Sequence, residues 1–195
     1  MSKISASASF SKILDRLTEL SSLEPSEAKA THPDFPNFAH HVAKLFQEDR
    51  LFDIIPRLEL QKRLIEANDP AIRPALDPYS STQLGVFSKN FSDWEIGHFL
   101  SYPDCCIRPF AEEARYGLDE RHAKEFQGMT GKIFATTAGF IPHSIHCEES
   151  RQRALISFIS ARQLEVLKGL EAAIFRALPH MHPEYQGQYY EIRAL

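Results

Sequence analysis

The chain has 195 residues, of which 43% are hydrophobic and 25% are charged, so it is long enough and apolar enough to bury one core. Its net charge is −4 and its Lys and Arg residues are scattered, which argues against a nucleic-acid partner. Because no apolar run approaches the roughly 20 residues that span a bilayer, we expect a soluble globular protein with no membrane partner.

Apolar residues at helical spacing predict two helices near the start of the chain. The first follows a Ser/Ala-rich start and carries the apolar positions Phe10, Ile13, Leu14, Leu17 and Leu20. The second begins at about Asn37 and carries Phe38, Val42, Leu45 and Phe46. The segment SSLEPSEAKATHPDFP breaks the helical pattern between them. Because the opening MSKISASASFSKIL lacks the apolar core of a secretory signal peptide, we predict a cytoplasmic location.

Helical spacing continues through LFDIIPRLELQKRLIEA, where Pro56 is expected to kink the helix or restart it. The next segment, NDPAIRPALDPYSST, is rich in proline and predicts an irregular but ordered loop or a linker. We place a boundary there, between an N-terminal helical arm (residues 1–78) and a helical core that contains the cysteines (residues 79–195). One continuous domain is the alternative organisation.

Two short strands are predicted in the second part of the chain, because QLGVFS and GKIFATTAGFIP carry β-branched and aromatic residues beside Gly or Pro. Between them, SDWE at residues 92–95 has the spacing of a capping box and predicts a short helix. A further helix is predicted after Pro103 through CCIRPFAEEARYG, with Gly117 as its C-cap.

The segment from Glu148 to Pro179 predicts the longest helix, because its apolar residues keep helical spacing from Leu155 to Ile174. The whole pattern predicts a mainly α fold, as a single globular helical domain with at most a few short strands. We expect about six to eight helices, of which the helix after Cys147 is the longest and central.

The three cysteines lie in two segments, and a helix is predicted to begin in each. YPDCCIRPF holds Cys105 and Cys106, and FIPHSIHCEES holds Cys147. A helix N-terminus favours a thiolate, because free backbone N–H groups and the positive end of the helix dipole meet there. Three cysteines do not make a secreted disulfide framework, which agrees with a reducing compartment. We predict that Cys105 or Cys106 lies close to Cys147 in space.

Two histidines beside Cys147 favour a metal site. His143 and His146 precede Cys147 by four residues and by one residue, so that an imidazole and a thiolate can face the same point. With Cys105 or Cys106 they form a mixed nitrogen and sulfur set, which suits zinc or iron rather than magnesium or calcium. Two alternatives stay open. The cysteines are core residues, or Cys147 is a metal-free catalytic nucleophile with His143 or His146 as its base.

The two cysteine segments also resemble a known family. FLSYPDCCIRPF, followed further along the chain by FIPHSIHCEES, is similar to DUF483, a family of small prokaryotic proteins of unknown function with a Tyr-Pro-x-Cys-Cys signature. The signature matches at Tyr102, Pro103, Cys105 and Cys106. Where the family has a further cysteine shortly after the position of Cys147, this chain has EESR, which makes the histidines the better candidate ligands. The resemblance covers roughly residues 95–160 and implies no activity.

Two classes of function follow from the metal hypothesis. The first is a metal-dependent enzyme that modifies a small molecule or a peptide, with three protein ligands and one open coordination position. The second is a helical binding module in which a closed metal or thiol cluster joins loops together. A metal-free thiol enzyme that uses Cys147 is the third alternative. We expect Cys147→Ser to lower metal occupancy more than His180→Ala does.

Overall fold

A computed structural model describes residues 3–113, 115–178 and 188–195. Ten helices and three strands lie in these ranges, which confirms the mainly α fold, although the helices outnumber the six to eight that the sequence predicts. The helices are α1 (Ala6–Leu20), α2 (Pro25–Thr31), α3 (Pro36–Gln47), α4 (Ile54–Asn68), α5 (Pro78–Leu84), α6 (Asp93–Phe99), α7 (Asp104–Glu112), α8 (Arg115–Phe126), α9 (Glu148–Gln152) and α10 (Ala161–Ala177). The strands are β1 (Ile133–Thr137), β2 (Ile156–Ile159) and β3 (Tyr190–Ala194). None of the helices in the described ranges combines the length and the apolar character of a membrane span.

The first two helices that the sequence predicts are present as α1 and α3. Ser5 caps α1, because its side chain accepts a hydrogen bond from the backbone N–H of Ala8. The segment between them is not wholly irregular and contains the short helix α2, which begins at Pro25. Pro56 lies in the first turn of α4, where backbone nitrogens donate no intrahelical hydrogen bond and a proline therefore loses none. The helix therefore restarts at Ile54 and is not kinked at Pro56.

The proline-rich segment forms the predicted irregular loop over residues 69–77 and then enters α5. Asp77 caps α5 by accepting a hydrogen bond from Ser80 N, and Gly85 ends the helix with a φ of 76°. The strand predicted at QLGVFS is therefore wrong, because its first residues belong to α5. The predicted C-cap at Gly117 is also wrong, since α7 ends at Glu112 and Gly117 lies inside α8.

The three strands form one antiparallel sheet with the order β2-β1-β3. In its register, Phe134 of β1 faces Phe158 of β2, and Ala135 of β1 faces Ile192 of β3. Of these strands, the sequence predicts only β1. The segment predicted as one long helix after Cys147 is instead α9, then β2, then α10.

The break in the predicted long helix after Cys147 has one cause that is local in sequence and one that is distant. Ala154 has a φ of 55°, a left-handed conformation that ends the helical path after α9. The next residues, ISFI, suit a strand and pair with β1. Ser160 and Gln163 then form a capping box that starts α10, which spans 17 residues and is the longest helix in the described ranges. The helix directly after Cys147 has only five residues.

Two clusters of buried apolar side chains hold the fold together. The larger cluster includes residues of α1, α3, α4 and α10, such as Phe10, Phe38, Leu58 and Leu170. The smaller cluster consists of Cys106, Phe134, Phe140, Ile145, Cys147, Leu155 and Ile156. Within the larger cluster the rings of Phe38 and Phe99 lie 4.7 Å apart between centroids, so residues from both sides of position 78 pack together there. The domain boundary at that position stays a prediction.

Candidate metal centre

Both cysteine segments lie at helix starts, as the sequence predicts. Pro103 is the N-cap of α7, so Cys105 and Cys106 fall in its first turn. Cys147 is the N-cap of α9, and its backbone N–H donates to Ser144 O over 3.1 Å. The approach of α6 to α7 depends on Gly97, because a Cβ there would lie 2.7 Å from Ile107. The fold thus brings two helix N-termini to one place.

Four side chains meet between these helix starts and form what we call the cysteine cluster (Cys105, Cys106, His143 and Cys147). Their sulfur and nitrogen ligand atoms all lie within 4.8 Å of one another. The Sγ atom of Cys147 lies 3.7 Å from that of Cys105 and 3.6 Å from that of Cys106. Cys106 Sγ lies 3.4 Å from His143 Nδ1. The prediction that Cys105 or Cys106 lies close to Cys147 is therefore confirmed, and both of them do.

The cysteine cluster is largely removed from water, and its thiols are free. Cys106 and Cys147 are 2% and 5% exposed, while Cys105 and His143 are half-buried. Their sulfur–sulfur distances exceed the roughly 2.05 Å of a disulfide, and all three cysteines are reduced. Such a Cys₃His group can hold a transition-metal ion.

The hydroxyl of Ser150 completes the polar contacts of the cysteine cluster. Ser150 is fully buried, and its Oγ donates to Cys147 Sγ over 3.1 Å. The same oxygen lies 3.2 Å from Cys106 Sγ. Sequence reasoning missed this residue, although its position three residues after Cys147, one turn into α9, places both side chains on the same side of the helix.

The thiols of the cysteine cluster hold their protons unequally. The hydrogen bonds that Cys147 accepts from Cys106 and Ser150 lower the pKa of Cys147 to about 4. Burial and the proximity of Cys147 raise the pKa of Cys105 to about 11. The hydrogen bond to Cys147 and burial raise the pKa of Cys106 well above the usual thiol range. Without a metal, the thiol of the cluster that is deprotonated near neutral pH is therefore mainly that of Cys147.

Helix α8 holds the loop that carries His143. His122 bonds to Pro142 O over 2.7 Å, and Arg121 donates to His143 O over 3.3 Å. Glu125 accepts a hydrogen bond of 2.9 Å from the backbone N–H of Ile145. Sequence reasoning missed these positioning side chains, because they contact backbone atoms distant in sequence and follow no motif.

The remaining candidate residues lie apart from the cysteine cluster or outside the described ranges. His146 is exposed, its backbone N–H donates to Ser144 Oγ over 3.1 Å, and its ring centroid lies 6.1 Å from that of Phe158. The group of four ligand atoms includes His143 and not His146. His180 lies outside the described residues.

Comparisons with known proteins identify the family. The model of the family described as "Protein of unknown function (DUF483)" matches residues 58–175. An uncharacterized protein of Methanocaldococcus jannaschii is 34% identical over 164 residues, which cover 80% of this chain and 87% of the relative. An uncharacterized protein of Methanothermobacter thermautotrophicus is 39% identical over 142 residues, which cover 71% of this chain and 77% of the relative. No solved structure matches the chain. The chain belongs to the DUF483 family, as its two cysteine segments predict.

Proposed function

We propose that the cysteine cluster binds one transition-metal ion, with zinc as the first choice and iron as the second, and that this ion joins the start of α7 to the loop before α9. In this function the protein is a helical binding module with a structural metal centre. The convergence of three thiols and one imidazole within 4.8 Å is the observation that carries the proposal.

The spacing of the ligand atoms suits a tetrahedral ion. Zn–S bonds of about 2.3 Å and Zn–N bonds of about 2.0 Å place two sulfur ligands about 3.8 Å apart, and sulfur and nitrogen about 3.5 Å apart. Three of the six separations here are 3.6 and 3.7 Å between sulfurs and 3.4 Å from Cys106 Sγ to His143 Nδ1, and the other three are within 4.8 Å. An ion can therefore enter with small side-chain adjustments.

Ligand number favours a structural centre over a catalytic one. Structural zinc sites are closed by four protein ligands, whereas catalytic sites keep one position for water or substrate. The cysteine cluster offers four donors, and two of them, on Cys106 and Cys147, are almost fully buried. Soft sulfur ligands also favour zinc or iron over magnesium or calcium. A reducing cytoplasm, which we propose as the location, would keep these thiols available to the metal.

The geometry gives less support to a metal-free thiol enzyme. A nucleophile must be both deprotonated and reachable by its substrate. Cys147, whose pKa is lowered, is only 5% exposed. Cys105 is more accessible, but its pKa is raised to about 11, which keeps it protonated at neutral pH. The two requirements thus fall on different residues.

Elemental analysis of protein purified without chelator tests the proposal. We expect close to one zinc or iron ion per chain, and loss of most of it in Cys147→Ser and His143→Ala. His146→Ala is the matched control, because this neighbouring histidine lies outside the cysteine cluster, and it should keep its metal. Cobalt substitution should give the strong visible bands of a tetrahedral thiolate site. Metal-free protein, or equal metal loss in His146→Ala and His143→Ala, would contradict the proposal.

A further inference from the structure

A cavity of about 570 Å³ lies beside the cysteine cluster and shares the side chain of Cys106 with it. Its walls are mainly apolar and include Val86, Phe91, Ile96, Leu100 and Phe140. Phe87 and Phe110 belong to the same lining and are 74% and 40% exposed, so the apolar surface continues outward to the mouth. The volume lies in the range of sites that bury small organic ligands.

A buried cation, Arg73, forms part of this lining. Arg73 is 1% exposed, and its Nη atoms donate to Leu100 O over 3.0 Å and to Ser9 over 3.4 Å. Its Nε has no hydrogen-bond partner among the described residues, and its guanidinium carbon lies 5.8 Å from the centroid of the Tyr102 ring. Burial lowers the pKa of Arg73 to about 10, which leaves the guanidinium charged at neutral pH.

No carboxylate of the described residues neutralises the charge of Arg73. Among residues 3–113, 115–178 and 188–195, no carboxylate lies within the 4.0 Å of an ion pair with this guanidinium. The other charged side chains of the lining, Lys89 and Asp93, are exposed. A buried charge without a counterion is unfavourable. A ligand anion placed in the cavity beside Arg73 would offset this penalty.

The chemistry of the lining selects the class of anion. One guanidinium carries a single positive charge and suits a ligand with a single negative charge, whereas a phosphate needs several donors to balance its larger charge. The apolar walls contribute through the hydrophobic effect and require a ligand body of hydrocarbon or aromatic carbon. Because Arg73 is buried and Phe87 is exposed, the charged end lies inside and the apolar body extends toward the mouth.

We propose that this cavity binds a small apolar monocarboxylate, with its carboxylate at Arg73 and its body along Phe91 and Phe87. The site is distinct from the metal centre and does not depend on it, although Cys106 belongs to both. It gives the protein a ligand class that the cysteine cluster alone does not indicate.

Isothermal titration of the full chain with octanoate and with octan-1-ol tests the proposal. The two probes share an apolar body and differ in the charged group, so we expect octanoate to bind at least about tenfold more tightly. Arg73→Gln should remove this preference and leave the affinity for octan-1-ol unchanged. Ala138→Phe, which adds volume in the lining, should weaken both probes.

Lys89→Gln is the matched control, because it removes an exposed cation of the same lining and should change octanoate affinity less than about twofold. The proposal is overturned if neither probe binds, if octan-1-ol binds wild-type protein as tightly as octanoate, or if Lys89→Gln rather than Arg73→Gln removes the preference. The comparison of the two probes on wild-type protein stays decisive if Arg73→Gln does not fold. Metal content measured in the same samples separates failure of this proposal from failure of the metal centre.

Discussion

Two buried polar centres of this chain satisfy their charges in different ways. In the first, the Arg57–Asp77 pair, Arg57 Nε donates to Asp77 Oδ1 over 2.8 Å, and the side chains are only 4% and 0% exposed. Asp77 also accepts hydrogen bonds from the backbone and the hydroxyl of Ser80. In the cysteine cluster, the sulfur atoms contact other thiols, an imidazole, the Ser150 hydroxyl and one backbone N–H.

The difference lies in where the cation comes from. The Arg57–Asp77 pair contains both ions, so it is complete once the chain folds. Among the described residues, the hydrogen-bond partners of the sulfurs in the cysteine cluster include no Lys or Arg side chain. In the proposed function, the cation of this centre is a metal ion from solution, and the cluster reaches its full stability only when that ion is bound. The stability of the Arg57–Asp77 pair should therefore change only on mutation. The stability of the cysteine cluster should also depend on metal and on pH.

The largest effect is expected at the Arg57–Asp77 pair. Arg57→Met leaves the buried Asp77 carboxylate without its cation, which should lower the free energy of unfolding by about 3–5 kcal/mol. The double variant Arg57→Met/Asp77→Asn removes the stranded charge and should recover part of that loss. Urea denaturation measures these free energies of unfolding, and the difference between wild type and each variant should be the same with and without chelator. Equal stability of the single and double variants would show that the stranded Asp77 charge does not cause the loss of stability in Arg57→Met.

Chelation should separate the two centres. Removing a metal that is present at about a thousand times its Kd lowers the free energy of unfolding by about 4 kcal/mol. We therefore expect a chelator to lower the Tm of wild-type protein and of Arg57→Met by similar amounts. Cys147→Ser should show almost no shift, because its metal site is already lost. A shift in Cys147→Ser as large as that of wild type would place the responsible metal elsewhere.

The sequence predicts helices well where local spacing decides the structure. The apolar stripe of α1 is uninterrupted, and a helix forms there. Leu155, Ile156 and Ile159 fit the helical pattern as well, yet Ile156 and Ile159 lie in β2. Pairing with β1, which is distant in sequence, decides their conformation. The helical spacing of the apolar residues gives no information about that pairing.

The candidate site shows the same limit. Residue chemistry and predicted helix starts identify the three cysteines and reduce the imidazoles to His143 and His146. His143 rather than His146 lies in the cysteine cluster because of the conformation of its loop, whose backbone is held by His122 and Glu125 of α8. These contacts join side chains to distant backbone atoms, so nothing in the spacing of the histidines encodes them.

The cysteine cluster should also release protons when it binds metal. The raised pKa values of Cys105, at about 11, and of Cys106 keep both thiols protonated near pH 7, while Cys147, at about 4, has no proton to lose. Binding should release about two protons, so affinity rises about 100-fold per pH unit and falls on acidification. Calorimetry in two buffers with different ionisation enthalpies measures the number. A release of three protons would contradict the lowered pKa of Cys147.

The smallest effect compares the two serine hydroxyls, one in each centre. Ser150 donates to Cys147 Sγ, so Ser150→Ala should weaken metal binding by about tenfold, the lower end of what hydrogen-bonding partners of metal ligands contribute. Ser80→Ala is the matched control: it removes a hydroxyl that bonds to Asp77 and should lower stability without changing metal affinity. Competition with a chromophoric chelator gives both affinities, and thermal melts of the metal-free proteins give both stabilities. If Ser80→Ala weakens metal binding as much as Ser150→Ala, the two centres are coupled and the contrast between them fails. If only Ser150→Ala does so, the hydroxyl acts through the sulfur that it contacts.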